Sequence, residues 1–172
     1  MKDLIFLGGP MGVGKTTTAR LLRDKLAPAV LLDGDWCWDM APFTVNGENK
    51  AMVMGNITYL LRAFLENSSF QAVVFSWVMD HDQIIQSILE SLPEEKFQFW
   101  SISLTAAPEE LRRRVEGDIA AGLRRPGAAE ESLARLPLYD TMDTFRLDTT
   151  HLTPEEAAEA VFHMVRGEAG RG

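Results

Sequence analysis

Residues Gly9-Pro10-Met11-Gly12-Val13-Gly14-Lys15-Thr16 satisfy the pattern G-x-x-x-x-G-K-[ST] at every fixed position. These residue types serve one chemistry. Glycines allow a tight turn that presents successive backbone N–H groups to an anion at the positive end of a following helix. The lysine of such a loop reaches β- and γ-phosphate oxygens, and the hydroxyl of its last residue ligates Mg²⁺. The alternative is a glycine-rich turn with an accidental lysine. The flanks argue against it, because apolar Leu4-Ile5-Phe6-Leu7 precedes the motif and the helix-period segment Thr17–Leu26 follows. Strand, glycine-rich turn and helix is the order a phosphate loop requires.

A second constellation lies at Leu31-Leu32-Asp33-Gly34-Asp35-Trp36-Cys37-Trp38. Two carboxylates two residues apart at a strand end point the same way. One would hold a water of a metal ion while the other accepts a proton from an attacking hydroxyl. An Asp-Gly turn with solvated carboxylates is the competing reading. Trp36 and Trp38 either wall an acceptor pocket with rigid indoles or fill the core under the adjoining helix. Asp80-His81-Asp82 is a further polar cluster, in which a histidine beside a helix start is ordinarily a surface or capping residue.

Positioning these groups falls to an alternation of strands and helices. Apolar runs at Leu4–Leu7, Ala29–Leu32, Ala72–Phe75 (continuing through Ser76 to Met79), Phe97–Leu104 and Phe145–Asp148 predict five strands. Helical spacing predicts helices over Asn49–Leu65, from Asp80 or Asp82 to Leu92, over Leu111–Ile119, over Ser132–Tyr139, and after Thr153-Pro154-Glu155-Glu156. The last of these begins with a capping box and an N1 proline. The expected fold is α/β: a three-layer, doubly wound, parallel five-stranded sheet. Residues 1–172 are expected to form a single domain. Ligands of such sheets sit beyond the carboxyl ends of the strands, where the phosphate loop, Asp33–Trp38 and Ser76–Asp82 converge.

Through these motifs and this element order the chain resembles the small P-loop kinases, the group that includes shikimate, gluconate, adenylylsulfate and nucleoside monophosphate kinases and chloramphenicol phosphotransferase. The resemblance covers nearly the whole chain and implies a helical lid at about residues 117–137. It implies ATP and Mg²⁺ as cofactors, nucleotide contacts at Gly9, Gly12, Val13, Gly14, Lys15, Thr16, Thr17 and Arg112, and a metal held at Thr16 and Asp33. Catalytic roles fall on Lys15, Asp35 and Arg112, with Asp35 orienting or deprotonating the acceptor. Arg112 belongs to the run Leu111-Arg112-Arg113-Arg114-Val115, similar to the arginine-bearing helix before the lid; Arg112–Glu116 and Arg114–Asp118 ion pairs are the competing reading. Arg124 and Arg125 fall in the lid, undistinguished from each other. Asp148-Thr149-Thr150-His151 follows the fifth strand, where related kinases bring backbone against adenine. The segment Leu32–Asp35 is similar to the acceptor motif of adenylylsulfate kinases, but Trp36-Cys37-Trp38 replaces the polar residues expected next.

Composition narrows the class. A net charge of −8 disfavours a nucleic-acid partner. No apolar run approaches the roughly eighteen residues that span a bilayer. A single cysteine, Cys37, excludes an internal disulfide. A first strand that starts almost at residue 1 leaves no room for a signal peptide, so a cytoplasmic monomer or homodimer is expected. The leading functional expectation is transfer of the γ-phosphoryl of ATP to a hydroxyl or phosphate of a small molecule. The alternative is a nucleotide-binding regulatory module with little or no transferase activity. Neither an Asn-Lys-x-Asp guanine motif nor a Leu-Ser-Gly-Gly-Gln transporter signature is present.

Overall fold

Leu4-Ile5-Phe6-Leu7 is apolar without alternation, as a strand covered on both faces must be. In the computed structural model, which describes residues 1–93 and 97–168, this run is the middle of β1 (Lys2–Gly8), the central strand of a five-stranded parallel sheet. β2 (Ala29–Asp33), β3 (Ala72–Ser76), β4 (Phe97–Thr105) and β5 (Phe145–Asp148) complete the order β2-β3-β1-β4-β5. Successive side chains of a strand point to opposite faces. Ile5 and Leu7 therefore enter one core, with Leu22, Leu104, Val115 and Val161, while Leu4 and Phe6 enter the other, with Ile57, Leu61, Phe75 and Ile88. α1 (Lys15–Lys25), α4 (Pro108–Ala120), α5 (Ala128–Arg135) and α6 (Pro154–Glu168) cover the first face. α2 (Gly47–Glu66) and α3 (Asp82–Leu89) cover the second. This is the expected three-layer, doubly wound architecture.

The register aligns the strand ends that matter. Leu7 and Asp33 both pair with Ser76, and Gly8 pairs with Ser103, so β1, β2 and β3 finish at one level. The sheet order reverses around β1, which opens a crevice beyond these ends.

Four local expectations change. The third strand stops at Ser76 instead of continuing to Met79. β1 ends at Gly8 as the phosphate loop turns away, and the last tie is Trp77 N–H donating to the Leu7 carbonyl at 3.2 Å. Neither Asp80 nor Asp82 caps α3; His81 occupies that position without a side-chain cap, and the Asp82 carboxylate accepts from the Asp143 N–H at 3.1 Å. The helix expected over Ser132–Tyr139 is two pieces, α5 and a 3-10 turn over Leu136–Thr141. Pro137 offers no N–H to continue the α-helical ladder. α2 starts earlier than its apolar spacing suggests because Asn46 caps it, accepting from Asn49 N–H at 2.8 Å. Among the described residues no helix is long and apolar enough to cross a membrane.

The capping box of α6 forms as expected: Thr153 Oγ1 accepts from the Glu156 N–H at 3.2 Å, and Thr153 N–H donates to Glu156 Oε2 at 2.8 Å. α6 packs Ala158, Val161 and Val165 into the core beside α1. Thr153→Ala is expected to lower unfolding free energy by about 1 kcal/mol in urea titrations, with Thr153→Ser retaining most of it.

Candidate active site

The phosphate loop is pressed between the end of β4 and α4. Gly12 has φ +84°, and a Cβ there would lie 2.4 Å from Val115 Cγ2. At Gly9 a Cβ would lie 2.6 Å from the Leu104 carbonyl oxygen. No side chain fits at either place, so the turn depends on glycine for contact as well as for dihedral angle. α1 then begins at Gly14 with neither a side-chain cap nor an acidic residue in its first turn. Its first N–H groups are left for an anion. Lys15 Nζ donates to the Pro10 carbonyl at 2.9 Å, which folds the ammonium back over the loop.

Asp33 ends β2, is buried, and uses both carboxylate oxygens. Oδ1 accepts from the Asp35 N–H at 3.0 Å, and Oδ2 accepts from the Thr16 hydroxyl at 3.3 Å. The first bond turns the chain so that Asp35 faces the same space. The second joins a hydroxyl to a carboxylate, an all-oxygen pair of the kind that Mg²⁺ takes. Thr16 and Asp33 therefore fit a magnesium ion.

These groups open onto a cleft of about 520 Å³ that Gly12, Gly14, Lys15, Thr16 and Thr17 line on one side. Asp33, Asp35, Ser76, Trp77 and Val78 line the other. Gly9 and Val13 do not line this cleft; Gly9 shapes the turn, and the Val13 side chain is buried in the core. Burial and the Asp33 charge push the Asp35 carboxyl up, against the pull of Lys15, Arg124 and Trp77. Desolvation brings Lys15 down to about 8; Asp35 opposes this, Arg124 assists it, and Asp33 opposes it more weakly.

The arginines sort differently from the expectation. Arg112 lies outside both cavities described here, paired at the surface with Glu130 at 3.1 Å and Glu116 at 3.5 Å. Arg114 takes the inward place. Its guanidinium donates to the Val13 carbonyl at 3.3 Å, to Thr149 Oγ1 at 3.0 Å, to the Thr149 carbonyl at 2.6 Å and to Glu110 at 2.8 Å. The expected Arg114–Asp118 pair is absent from these contacts. Arg124 lines the cleft and donates to Asp118 at 2.9 Å, whereas Arg125 is held by Glu131 at 2.6 Å on the exposed side. The two arginines of the loop between α4 and α5 are thus separated by geometry. Arg114 also walls a second cavity of about 360 Å³, formed with Val13, Thr18 and the Thr149–Pro154 turn after β5.

The tryptophans exchange places as well. Trp36 is exposed and Trp38 packs against the second core and Phe43, so neither lines these cavities. Trp77 does, and the sequence offered no signal for it beyond its place one residue past a strand. Buried Asp80 turns away from the cleft to hold Arg135 of α5 and His81, the latter at 2.7 Å. His81 itself is exposed. Ser132 of α5 donates to the Met11 carbonyl at 2.5 Å, and Tyr139 of the following 3-10 turn donates to the Val78 carbonyl at 3.3 Å, so α5 and that turn together are tied to both walls of the cleft.

Lys15 titrates near 8 in the folded chain and at its usual 10.5 when unfolded, so between those values the unfolded chain holds more protons. Stability from this residue accordingly climbs as pH rises through that window. In urea unfolding from pH 7.5 to 10.5, Lys15→Met is expected to remove a climb of roughly 1–3 kcal/mol relative to the parent chain. Parallel pH curves for the two proteins would contradict the assignment.

Comparison with known proteins bears on the family and the fold. The family model described as an AAA domain matches residues 5–130. A shikimate kinase from Rhodopirellula baltica is 26% identical over 183 residues, covering 97% of this chain and 92% of that protein. A gluconokinase from Sinorhizobium meliloti superposes with TM-score 0.67 at 14% identity, over 97% of this chain and 95% of its own. A shikimate kinase from Acinetobacter baumannii in complex with shikimate superposes with TM-score 0.66 at 20% identity, over 98% and 95% of the two chains. The chain belongs to the AAA-domain family of nucleotide-binding P-loop proteins, and within it has the fold of the small P-loop kinases.

Proposed function

We propose that the protein is an ATP-dependent phosphotransferase acting on a small molecule. One observation carries this reading: the phosphate loop with Lys15 and the Asp35 carboxylate line a single cleft. A protein that merely sensed nucleotide would have no use for a carboxylate held across the cleft from the phosphate loop.

On this reading the base and ribose occupy the second cavity, between Arg114 and the Thr149–Pro154 turn. The triphosphate runs along the loop amides into the larger cleft. Thr16 and Asp33 would hold the metal, which neutralises charge on the β- and γ-phosphates. Asp35 accepts the proton of the acceptor hydroxyl as its oxygen bonds to the γ-phosphorus. The bond to the β–γ bridging oxygen breaks, and ADP leaves. The upward displacement of the Asp35 carboxyl suits that role, since a base works best with its pKa near the working pH. Lys15 and Arg124 stabilise charge on the transferring group, and Arg114 replaces Arg112 as the arginine that steadies the nucleotide.

Asp35→Asn is expected to lower acceptor-dependent ADP formation by at least about 10²-fold while ATP binding by calorimetry changes by less than about threefold. Unchanged turnover would remove Asp35 from the mechanism. Tight ATP binding without turnover on any acceptor, in the parent chain, would favour the regulatory module. A second pair of variants tests the arginines. Arg112→Ala should leave kcat/KM within about twofold, and Arg114→Lys should lower it by roughly 10- to 100-fold. Equal losses in the two would contradict the division made here.

A further inference from the structure

The cleft changes chemical character from one end to the other. Its three cations, Lys15, Arg114 and Arg124, all belong to the phosphate loop, to α4 or to the loop after it. The facing wall is Asp35, Ser76, Trp77 and Val78. The Trp77 indole is fixed there: a Cβ on Gly34 would come within 2.5–2.8 Å of its ring atoms, and the Phe75 ring lies 6.2 Å away.

Among the described residues, the cations Arg135, Arg62 and Lys50 of neighbouring elements are engaged or turned outward. Arg135 is matched by buried Asp80, exposed Arg62 is bonded to the Ser91 carbonyl, and Lys50 is exposed on the first turns of α2. The chain leaving Asp35 is instead apolar at its surface, with Trp36 53% exposed, Phe43 66%, Val45 54% and Met52 46%.

We infer that the acceptor is an uncharged hydroxyl compound with an apolar or aromatic flank, laid against Trp77 and Val78 with its hydroxyl at Asp35, and that carboxylate-bearing acceptors are rejected. This rests on the kinase reading and narrows it. A carboxylate on this wall would face Asp35 and Asp33; Arg124 is engaged by Asp118, Lys15 lies on the phosphate-loop side, and a triphosphate would add like charge from that end. Like charges gathered at one wall are a basis for rejection. The relatives named above are called after shikimate and gluconate, which are both carboxylic acids. The fold is shared with them, but the charge of the acceptor wall points elsewhere.

The test uses matched pairs that differ in charge: 2-phenylpropane-1,3-diol against tropate, glucitol against gluconate, and methyl shikimate against shikimate. ADP formation is measured with ATP and Mg²⁺, and binding by saturation-transfer NMR with ADP and Mg²⁺ present. Within each pair that reacts or binds, the neutral member should exceed its anion by about tenfold or more, and the diol should exceed glucitol. Val78→Arg should shift the diol-to-tropate ratio toward tropate by about tenfold. An anion equal to or better than its neutral partner overturns the inference, as does an unchanged ratio in a folded Val78→Arg protein, or no neutral member binding at millimolar concentration. Neutral members that bind without phosphoryl transfer leave the ligand class standing and count against the kinase reading.

Discussion

A turn that tolerates no side chain at two positions underlies the whole site. Gly9 lies against the carbonyl of Leu104 at the end of β4, and Gly12 lies against Val115 on α4. Both neighbours are buried parts of the core, so neither can yield cheaply. Because the loop is clamped there, α1 starts at a defined angle with its first N–H groups open, and Thr16 meets the Asp33 carboxylate at the end of β2. Asp33 in turn fixes the backbone of Asp35. The order of dependence runs from core packing, through a bare backbone, to the placement of two carboxylates.

The price of that placement is electrostatic. Three carboxylates, an ammonium and two guanidiniums line one cleft, and the Lys15 and Asp35 pKa values are both driven toward neutrality by loss of water. Such groups are costly in the empty site and become useful when a phosphate and a metal complete the charge balance. This is the usual conflict between stability and function in a polar cleft. α5 adds mechanical coupling. It grips the phosphate loop through Ser132 and the opposite wall through Arg135 and Asp80, so movement of the arginine loop and α5 would be felt at both ends of the cleft.

Much of this was legible in the residues. The phosphate loop, the paired aspartates and the five strands each rest on local spacing, and local spacing survives folding. The choice between Arg112 and Arg114 did not, for a geometric reason. Leu111 and Val115 mark the buried stripe of α4, and at the α-helical period Arg112 and Arg114 flank it at equal angles on opposite sides. Only the direction in which α4 crosses the loop decides which one reaches Val13 and Thr149. Trp77 was hidden for a related reason. Its role depends on Gly34, more than forty positions earlier in the chain, leaving room for the ring. For Trp36 and Trp38 the residues left pocket wall and core filling open, because exposure cannot be read from a short 3-10 turn lacking helical period; Trp38 packs on the core and Trp36 is exposed.

The central claim is that donor and acceptor halves meet in one cleft, with the triphosphate on the loop and its γ-phosphate toward Asp35. A crystal structure with a non-hydrolysable ATP analogue and Mg²⁺ tests it most directly. The account predicts the metal beside Thr16 and Asp33, the base between Arg114 and the Thr149–Pro154 turn, and the γ-phosphate facing Asp35 and Trp77. A triphosphate bound away from Lys15, or one whose γ-phosphate points out of the cleft with Asp35 beyond reach, would contradict it.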